Sequence, residues 1–406
     1  MWRVSPPTSP SRVDAAPVAR FDDRVARRSL VFDRALDVLV AECPSEVVEV
    51  LAAVEAANRR GLWAAGYVSY EAAGGFDPSL VTHARDEHDP PLAWFAIAPE
   101  ARRIPYVAPL PSGERRLPGW SDRWSTADLF AAIATVRARI AAGETYQCNL
   151  TTRLTSELGE RGVGELYAHL LSRQRTRYAA RLDVGTHEVA SVSPELFFDW
   201  HERTLLTRPM KGTSPRGRTP IEDERLRRAL CSNAKERAEN VMIVDLLRND
   251  VSKIATPGSV RVTRLCVAER YETVWQLTSD VEATLASDVR LVEIFRALFP
   301  CGSVTGAPKA STMRLIRELE PAPRGVYCGA IGWVAPIGHA RRARFSVAIR
   351  TITVARASGG GVYGVGAGIT WDSDPASEAL EFAVKADVLY PVEQPPVAGP
   401  IAPART

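Results

Sequence analysis

No two cysteines of this chain stand in a CxxC spacing. The six present (Cys43, Cys148, Cys231, Cys266, Cys301 and Cys328) are scattered, which argues against both a zinc site and a disulfide framework. No apolar run approaches the roughly 20 residues that a membrane-spanning helix needs. The opening Met1-Trp2-Arg3-Val4-Ser5-Pro6-Pro7 also lacks the apolar core of a secretion signal, so a cytoplasmic protein without a membrane segment is expected. Excess charge is missing too. A formal net charge of +3 over 406 residues is too small to hold nucleic acid or an anionic membrane by electrostatics alone. No internal repeat is visible. The GxGxxG spacing of a dinucleotide fold is absent as well: Gly364-Val365-Gly366-Ala367-Gly368 imitates it but belongs to a hairpin pattern. The basic cluster Arg341-Arg342-Ala343-Arg344 reads as a solvated hairpin tip, not a nucleic-acid patch.

What is present is an ordinary globular composition, 46% hydrophobic and 24% charged, in a chain long enough for one large domain or two joined ones. Residues 1–20 and 394–406, rich in proline and small residues, are expected to be disordered, with an N-terminal subdomain over 21–118 and a catalytic domain over 119–393. The first region holds a predicted helix near 47–60 and a strand over 62–70. Beyond a proline-bearing boundary near 111–124, Ser125 caps a helix whose Leu129, Ile133, Val136 and Ile140 form one stripe, closed by Gly143. Strand patterns over 146–154, 178–182, 188–192, 196–200 and 204–208 read as an antiparallel meander, with a helix over 164–174 inserted. One long helix is predicted from Pro220 to about Asn249, with Thr219 and Glu222 as its capping box. Further strands are predicted over 271–283, 329–335, 344–355 and 361–370, and helices over 289–298 and 309–319, before a last helix opening at Asp374-Pro375. Strands joined by short turns, with separate helix blocks, argue for an α+β fold.

Four glutamates form two i, i+3 pairs, Glu236/Glu239 and Glu378/Glu381, each on one face of a predicted helix. Such a pair is ordinarily a solvated face. Here the first shares its face with Ile243 and Leu246, and Phe382, Val388 and Leu389 surround the second, so both point inward. Four converging carboxylates need a counter-cation, and oxygen-only ligands suit a hard divalent ion such as Mg²⁺. Lys385 returns to the Glu378 face as an anchor for an anionic ligand. Glu195, in Ser193-Pro194-Glu195, is either a turn carboxylate or a buried one with a raised pKa, able to give a proton to a leaving hydroxyl. The turn from Cys301 to Lys309 is either a strand-to-helix cap or an anion cradle of backbone N–H groups and the Ser303 hydroxyl. Arg350 is either a sheet-edge ion pair or a bidentate carboxylate ligand, and Tyr327 completes the set. Lys211, in Arg208-Pro209-Met210-Lys211-Gly212-Thr213, stands where a strand gives way to a glycine-bearing turn. A surface cation is the plain reading of such a lysine; a desolvated nucleophile is the sharper one.

Six ordered motifs carry a resemblance: Gly143-Glu144-Thr145-Tyr146-Gln147, Ser193-Pro194-Glu195, Lys211-Gly212-Thr213, Lys235-Glu236 through Asp245-Leu246, Gly302-Ser303 through Pro308-Lys309, and Gly366-Ala367-Gly368. Over about Trp124 to Val392 the chain resembles the chorismate-utilising enzymes, which include anthranilate, aminodeoxychorismate, isochorismate and salicylate synthases. The resemblance implies an αββα sandwich of two large antiparallel sheets flanked by helices. It implies Mg²⁺ held chiefly by Glu239 and Glu381, with Glu236 and Glu378 in support, gripping the ring carboxylate of chorismate. Tyr327, Arg350 and Gly368 would hold the enolpyruvyl carboxylate, within a substrate set that also takes in Gln147, Gly212, Thr213, Gln276, Ser303, Gly366, Ala367 and Lys385.

Two positions bear on the branch of the family. Water-adding members carry a lysine base where this chain has Gln147, and a carboxamide cannot deprotonate water. Anthranilate synthases carry alanine where this chain has Lys211; aminodeoxychorismate synthases carry lysine. The resemblance therefore implies component I of aminodeoxychorismate synthase, with Lys211 as nucleophile and Glu195 as general acid. Gln276 replaces the histidine linked to pyruvate elimination in anthranilate and salicylate synthases, so the reaction is expected to stop before aromatisation. A separate glutamine amidotransferase is expected to supply ammonia, for p-aminobenzoate and folate synthesis or a specialised product. Anthranilate synthase is the alternative, and a non-catalytic binding member is the rival from another class.

Overall fold

The computed structural model describes residues 18–108, 119–122, 124–158, 163–271 and 274–390. The expected disordered ends lie outside these residues, apart from 18–20, as does most of the boundary expected near 111–124.

Among the described residues the fold is carried by two antiparallel sheets of ten strands each. The first runs, edge to edge, through Gly306–Ala307, Gln147–Glu157, Gly360–Ile369, Thr351–Ala355, His187–Ser193, Tyr178–Asp183, Ala19–Asp23, Arg28–Phe32 and Arg102–Pro105, with Ser121–Asp122 beside Gln147–Glu157. The second runs through Met210–Pro215, Val274–Thr284, Thr204–Arg208, Leu196–His201, Arg341–Val347, Ala330–Val334, Trp63–Val68, Ala93–Ala98 and Asp37–Ala41, with Arg261–Arg270 beside Val274–Thr284. Three apolar layers follow. Phe32, Trp63, Tyr67, Trp94 and Ile331 fill the space between the sheets. Leu129, Ile133, Leu170, Ile316 and Phe382 seal helices against the first sheet, and Val47, Leu51, Phe295 and Leu298 seal helices against the second. Helix, sheet, sheet, helix is the αββα sandwich the motifs imply.

Local chemistry sets the helix ends. Ser125 Oγ accepts from Asp128 N at 3.1 Å, and Gly143 takes φ +77° just past the C-terminus of Thr126–Ala141. The last helix, Pro375–Ala386, opens with Asp374 accepting from Ser377 N at 2.9 Å.

Five expectations are corrected. The long helix is two, Pro220–Ser232 and Ala234–Ser252, because Asn233 leaves helical geometry and caps the second, accepting from Glu236 N at 3.1 Å. Thr219 does accept from Glu222 N, but the Glu222 carboxylate turns to Arg218 N, so the capping box is half made. The meander is not one sheet: between His187–Ser193 and Leu196–His201 the chain changes sheets through Pro194-Glu195, and both strands are too buried for alternation to reveal it. The strand expected over 344–355 is likewise broken, Arg341–Val347 lying in one sheet and Thr351–Ala355 in the other, with Arg350 at φ +53° between them. Arg341 and Arg344 both donate to Asp199, and the Arg342 guanidinium lies over Trp200, so this cluster belongs to a strand and not to a solvated tip. The strands Ala19–Asp23, Arg28–Phe32, Asp37–Ala41, Ala93–Ala98 and Arg102–Pro105 were not anticipated; they extend both sheets.

Candidate active site

Two sheet-changing crossovers lie side by side. Val347 N donates to Glu195 O at 3.1 Å and Val192 N donates to Arg350 O at 3.0 Å, so Ser193-Pro194-Glu195 and Ala348–Arg350 are laced together where the sheets part. A cavity of about 770 Å³ opens there. Glu195 is 3% exposed, and its Oε1 accepts from Ser303 Oγ at 2.6 Å. Burial pushes its carboxyl up to about 7, against the opposing pull of the Ser303 hydroxyl, Lys211 and Lys385. Ser303 comes from the short turn Gly302–Val304, which does not open the next helix directly: Gly306–Ala307 first pairs with Gln147-Cys148. Lys309 at that helix's start is committed to Asp250 and the Leu298 carbonyl.

The strand Gly360–Ile369 supplies the floor. Successive side chains alternate in a strand, so Tyr363, Val365, Ala367 and Ile369 enter the core under the helices, while Gly364, Gly366 and Gly368 face the cavity. Each glycine clears space for a neighbour. A Cβ at Gly364 would strike the Tyr327 ring, and one at Gly368 would strike Lys211 Nζ and lie 3.0 Å from Gln147 Nε2. Lys385 Nζ donates to the Gly366 carbonyl at 2.7 Å, and Arg350 Nη1 donates to the Lys385 carbonyl at 2.8 Å. Lys211 thus stands over the glycine floor near Glu195, without a hydrogen bond or ion pair of its own among the described residues. Gln147 is fully buried, its amide on the same side of Gly368 as Lys211, and neither end of that amide has a hydrogen-bond partner among the described residues.

The four glutamates share one rim. Burial raises Glu236, Glu239 and Glu378 above the ordinary carboxylate range, with mutual repulsion adding to it. Glu381 goes the other way: burial would raise it, but Lys385, Lys211 and Lys235 together outweigh that and lower it. Lys385 Nζ lies 2.5 Å from Glu381 Oε1, and Lys235 Nζ lies 3.9 Å from Glu239 and 3.8 Å from Glu378. Among the described residues no three acidic, histidine or cysteine side chains stand ready-made as metal ligands. The donor set nonetheless fits a hard cation: every candidate ligand is a carboxylate oxygen, and Glu378 Oε2 is buried without a hydrogen bond.

Most of the expected residues line the one cavity: Glu195, Lys211, Gly212, Thr213, Glu236, Glu239, Gln276, Ser303, Tyr327, Arg350, Gly366, Gly368, Glu378, Glu381 and Lys385. Two are not among its lining: Ala367 is a core residue, and Gln147 is fully buried, with its amide on the same side of Gly368 as Lys211. The lining also takes in residues outside the expected set, among them Lys235, Asn149 and Gly364. Lys235 was readable from its i, i+4 spacing to Glu239, whereas Asn149 and Gly364 enter only through strand register. A second cavity, of about 110 Å³, lies beside Asp22, Ser29 and Arg344 and takes none of the motif residues.

Residues 101–391 match the family model of the chorismate binding enzymes. The chain is 42% identical over 264 residues to anthranilate synthase component 1 of Streptomyces coelicolor, covering 65% of this chain and 50% of that relative. It is 40% identical over 263 residues to aminodeoxychorismate synthase component 1 of Bacillus subtilis, covering 64% of this chain and 54% of that relative. The matches thus span about half the length of these curated relatives. The solved anthranilate synthase component I from Streptococcus pneumoniae has the same fold, with a TM-score of 0.74 at 24% identity over 95% of this chain and 94% of that one.

Proposed function

This chain belongs to the chorismate-binding enzymes, and from that premise we propose that it is the synthase component converting chorismate and ammonia to 4-amino-4-deoxychorismate and water. The observation that carries the proposal is Lys211, an unpaired amine over a glycine floor, beside a buried carboxyl raised to about 7. Its neutral amine attacks C2 of the ring, both ring double bonds shift (C1=C2 to C1=C6, and C5=C6 to C4=C5), and the C4–O bond breaks. Glu195, protonated up to about neutral pH, gives the departing hydroxyl its proton, so water leaves. Ammonia then adds at C4, both double bonds return to C5=C6 and C1=C2, and the C2–N bond to Lys211 breaks with its electrons on the lysine, leaving the new amine, once it has lost a proton, para to the ring carboxylate.

The remaining groups bind and orient. Arg350, Tyr327 and Lys385 surround the floor on which the enolpyruvyl carboxylate would lie. Glu239 and Glu381, with Glu236 and Glu378 in support, would hold Mg²⁺, which when bound supplies positive charge to the ring carboxylate. A glutaminase partner, or free ammonia, provides the amine. Anthranilate synthase is the second reading, favoured by the Streptomyces coelicolor relative; Lys211 disfavours it, because the lysine occupies the space through which ammonia would reach C2. Lys211→Ala should lower aminodeoxychorismate formation by at least about 10²-fold, and rapidly quenched wild-type enzyme should carry a substrate adduct on Lys211 by mass spectrometry. An unchanged rate and product in the variant would contradict the reading.

A further inference from the structure

The aim of Lys211 depends on an irregularity in strand pairing. Met210 pairs with Thr278 and Thr213 with Gln276, so three steps along one strand face two along the other. Lys211 and Gly212 together oppose Leu277, which is a one-residue β-bulge. A bulge interrupts the ladder and re-aims a side chain, and it leaves backbone groups without their usual partners. Here the Gln276 side chain fills the gap. Its Nε2 donates to the Gly212 carbonyl at 2.9 Å and its Oε1 accepts from Thr213 Oγ1 at 2.9 Å. On the other side Gly212 takes φ +88°, and a Cβ there would fall 2.8 Å from Glu236 Oε2. The bulge is therefore bonded by a carboxamide on one side and packed closely against the Glu236 side chain on the other.

We propose that Gln276 is a positioning residue, whose amide holds the bulge that points Lys211 at the substrate. The proposal rests on Lys211 as nucleophile. It adds to the expectation that Gln276 belongs to the substrate cavity and is a poor proton shuttle, since each end of the amide also engages the Gly212–Thr213 segment.

Gln276→Leu keeps the bulk and removes both bonds, while Thr213→Val at an exposed position removes one. Gln276→Leu should lower kcat about 10- to 100-fold with KM changed less than about twofold, as expected for a misplaced reacting group. Thr213→Val should show a smaller loss of the same kind, and it carries the test if Gln276→Leu fails to fold. Added to Lys211→Ala, Gln276→Leu should cost nothing further, because both act through one amine. Acetic anhydride labelling, read by mass spectrometry, should change in rate at Lys211 and not at other lysines. An unchanged kcat, a rise in KM alone, or an equal additional loss in the Lys211→Ala background would overturn the proposal. If Lys211→Ala itself proves fully active, the nucleophile reading fails instead, and the labelling rate still decides whether Gln276 positions that lysine.

Discussion

Glu195 and Lys211 owe their chemistry to position. Burial moves Glu195 from an ordinary 4.5 to about 7, against the pull of the Ser303 hydroxyl and Lys211. An acid raised on folding is protonated in the native state while the unfolded chain has already ionised. Stability therefore declines as pH rises between about 4.5 and about 7, and this group adds no further decline above that range. As a proton donor it must keep its proton, so activity should fall as pH rises through about 7. Glu195→Gln should lower kcat by about 10²- to 10⁴-fold and abolish that alkaline limb in the pH–rate profile. It should also flatten part of the pH dependence of stability in denaturant titrations, though not all, since burial raises Glu71 to about 7 as well. A variant with normal rates and an intact limb would exclude Glu195 as the acid.

At the level of elements, the site is assembled by breaks in regular structure: the bulge at Lys211-Gly212, the sheet change at Pro194-Glu195, the positive φ at Arg350 and the helix restart at Asn233. The motifs were legible because they put specific residue types at fixed spacings, and the paired glutamates were readable from helical periodicity. The breaks were not. Asn233 interrupts a polar helical pattern that continues on both sides, and Ala348–Arg350 separates two apolar strands by too few residues to signal a change of sheet. The restart at Asn233 brings Glu236 and Glu239 onto the rim opposite Glu378 and Glu381. Glu239→Gln and Glu381→Gln should each raise the Mg²⁺ concentration for half-maximal activity and shrink the Mg²⁺-induced rise in the thermal unfolding midpoint. Identical Mg²⁺ dependence in both variants would show that these carboxylates do not hold the ion.

The whole molecule is a two-sheet sandwich whose cavity opens where the chain passes from one sheet to the other. Short strands and separate helix blocks made the α+β class readable. The N-terminal strands escaped notice because segments such as Ala19–Asp23 and Arg102–Pro105 are short and rich in charge, and each takes a partner far away in the chain, Tyr178–Asp183 for the first and Arg28–Phe32 for the second. Among the described residues no helix is long and apolar enough to cross a membrane. The central claim is that this sandwich aminates chorismate at C4 and stops there. It is tested most directly by incubating the purified wild-type protein with chorismate, Mg²⁺ and ammonia, without any lyase, and identifying the product. The account predicts a non-aromatic amino acid that yields p-aminobenzoate only after an aminodeoxychorismate lyase is added; rapid growth of anthranilate fluorescence in the lyase-free reaction would contradict it.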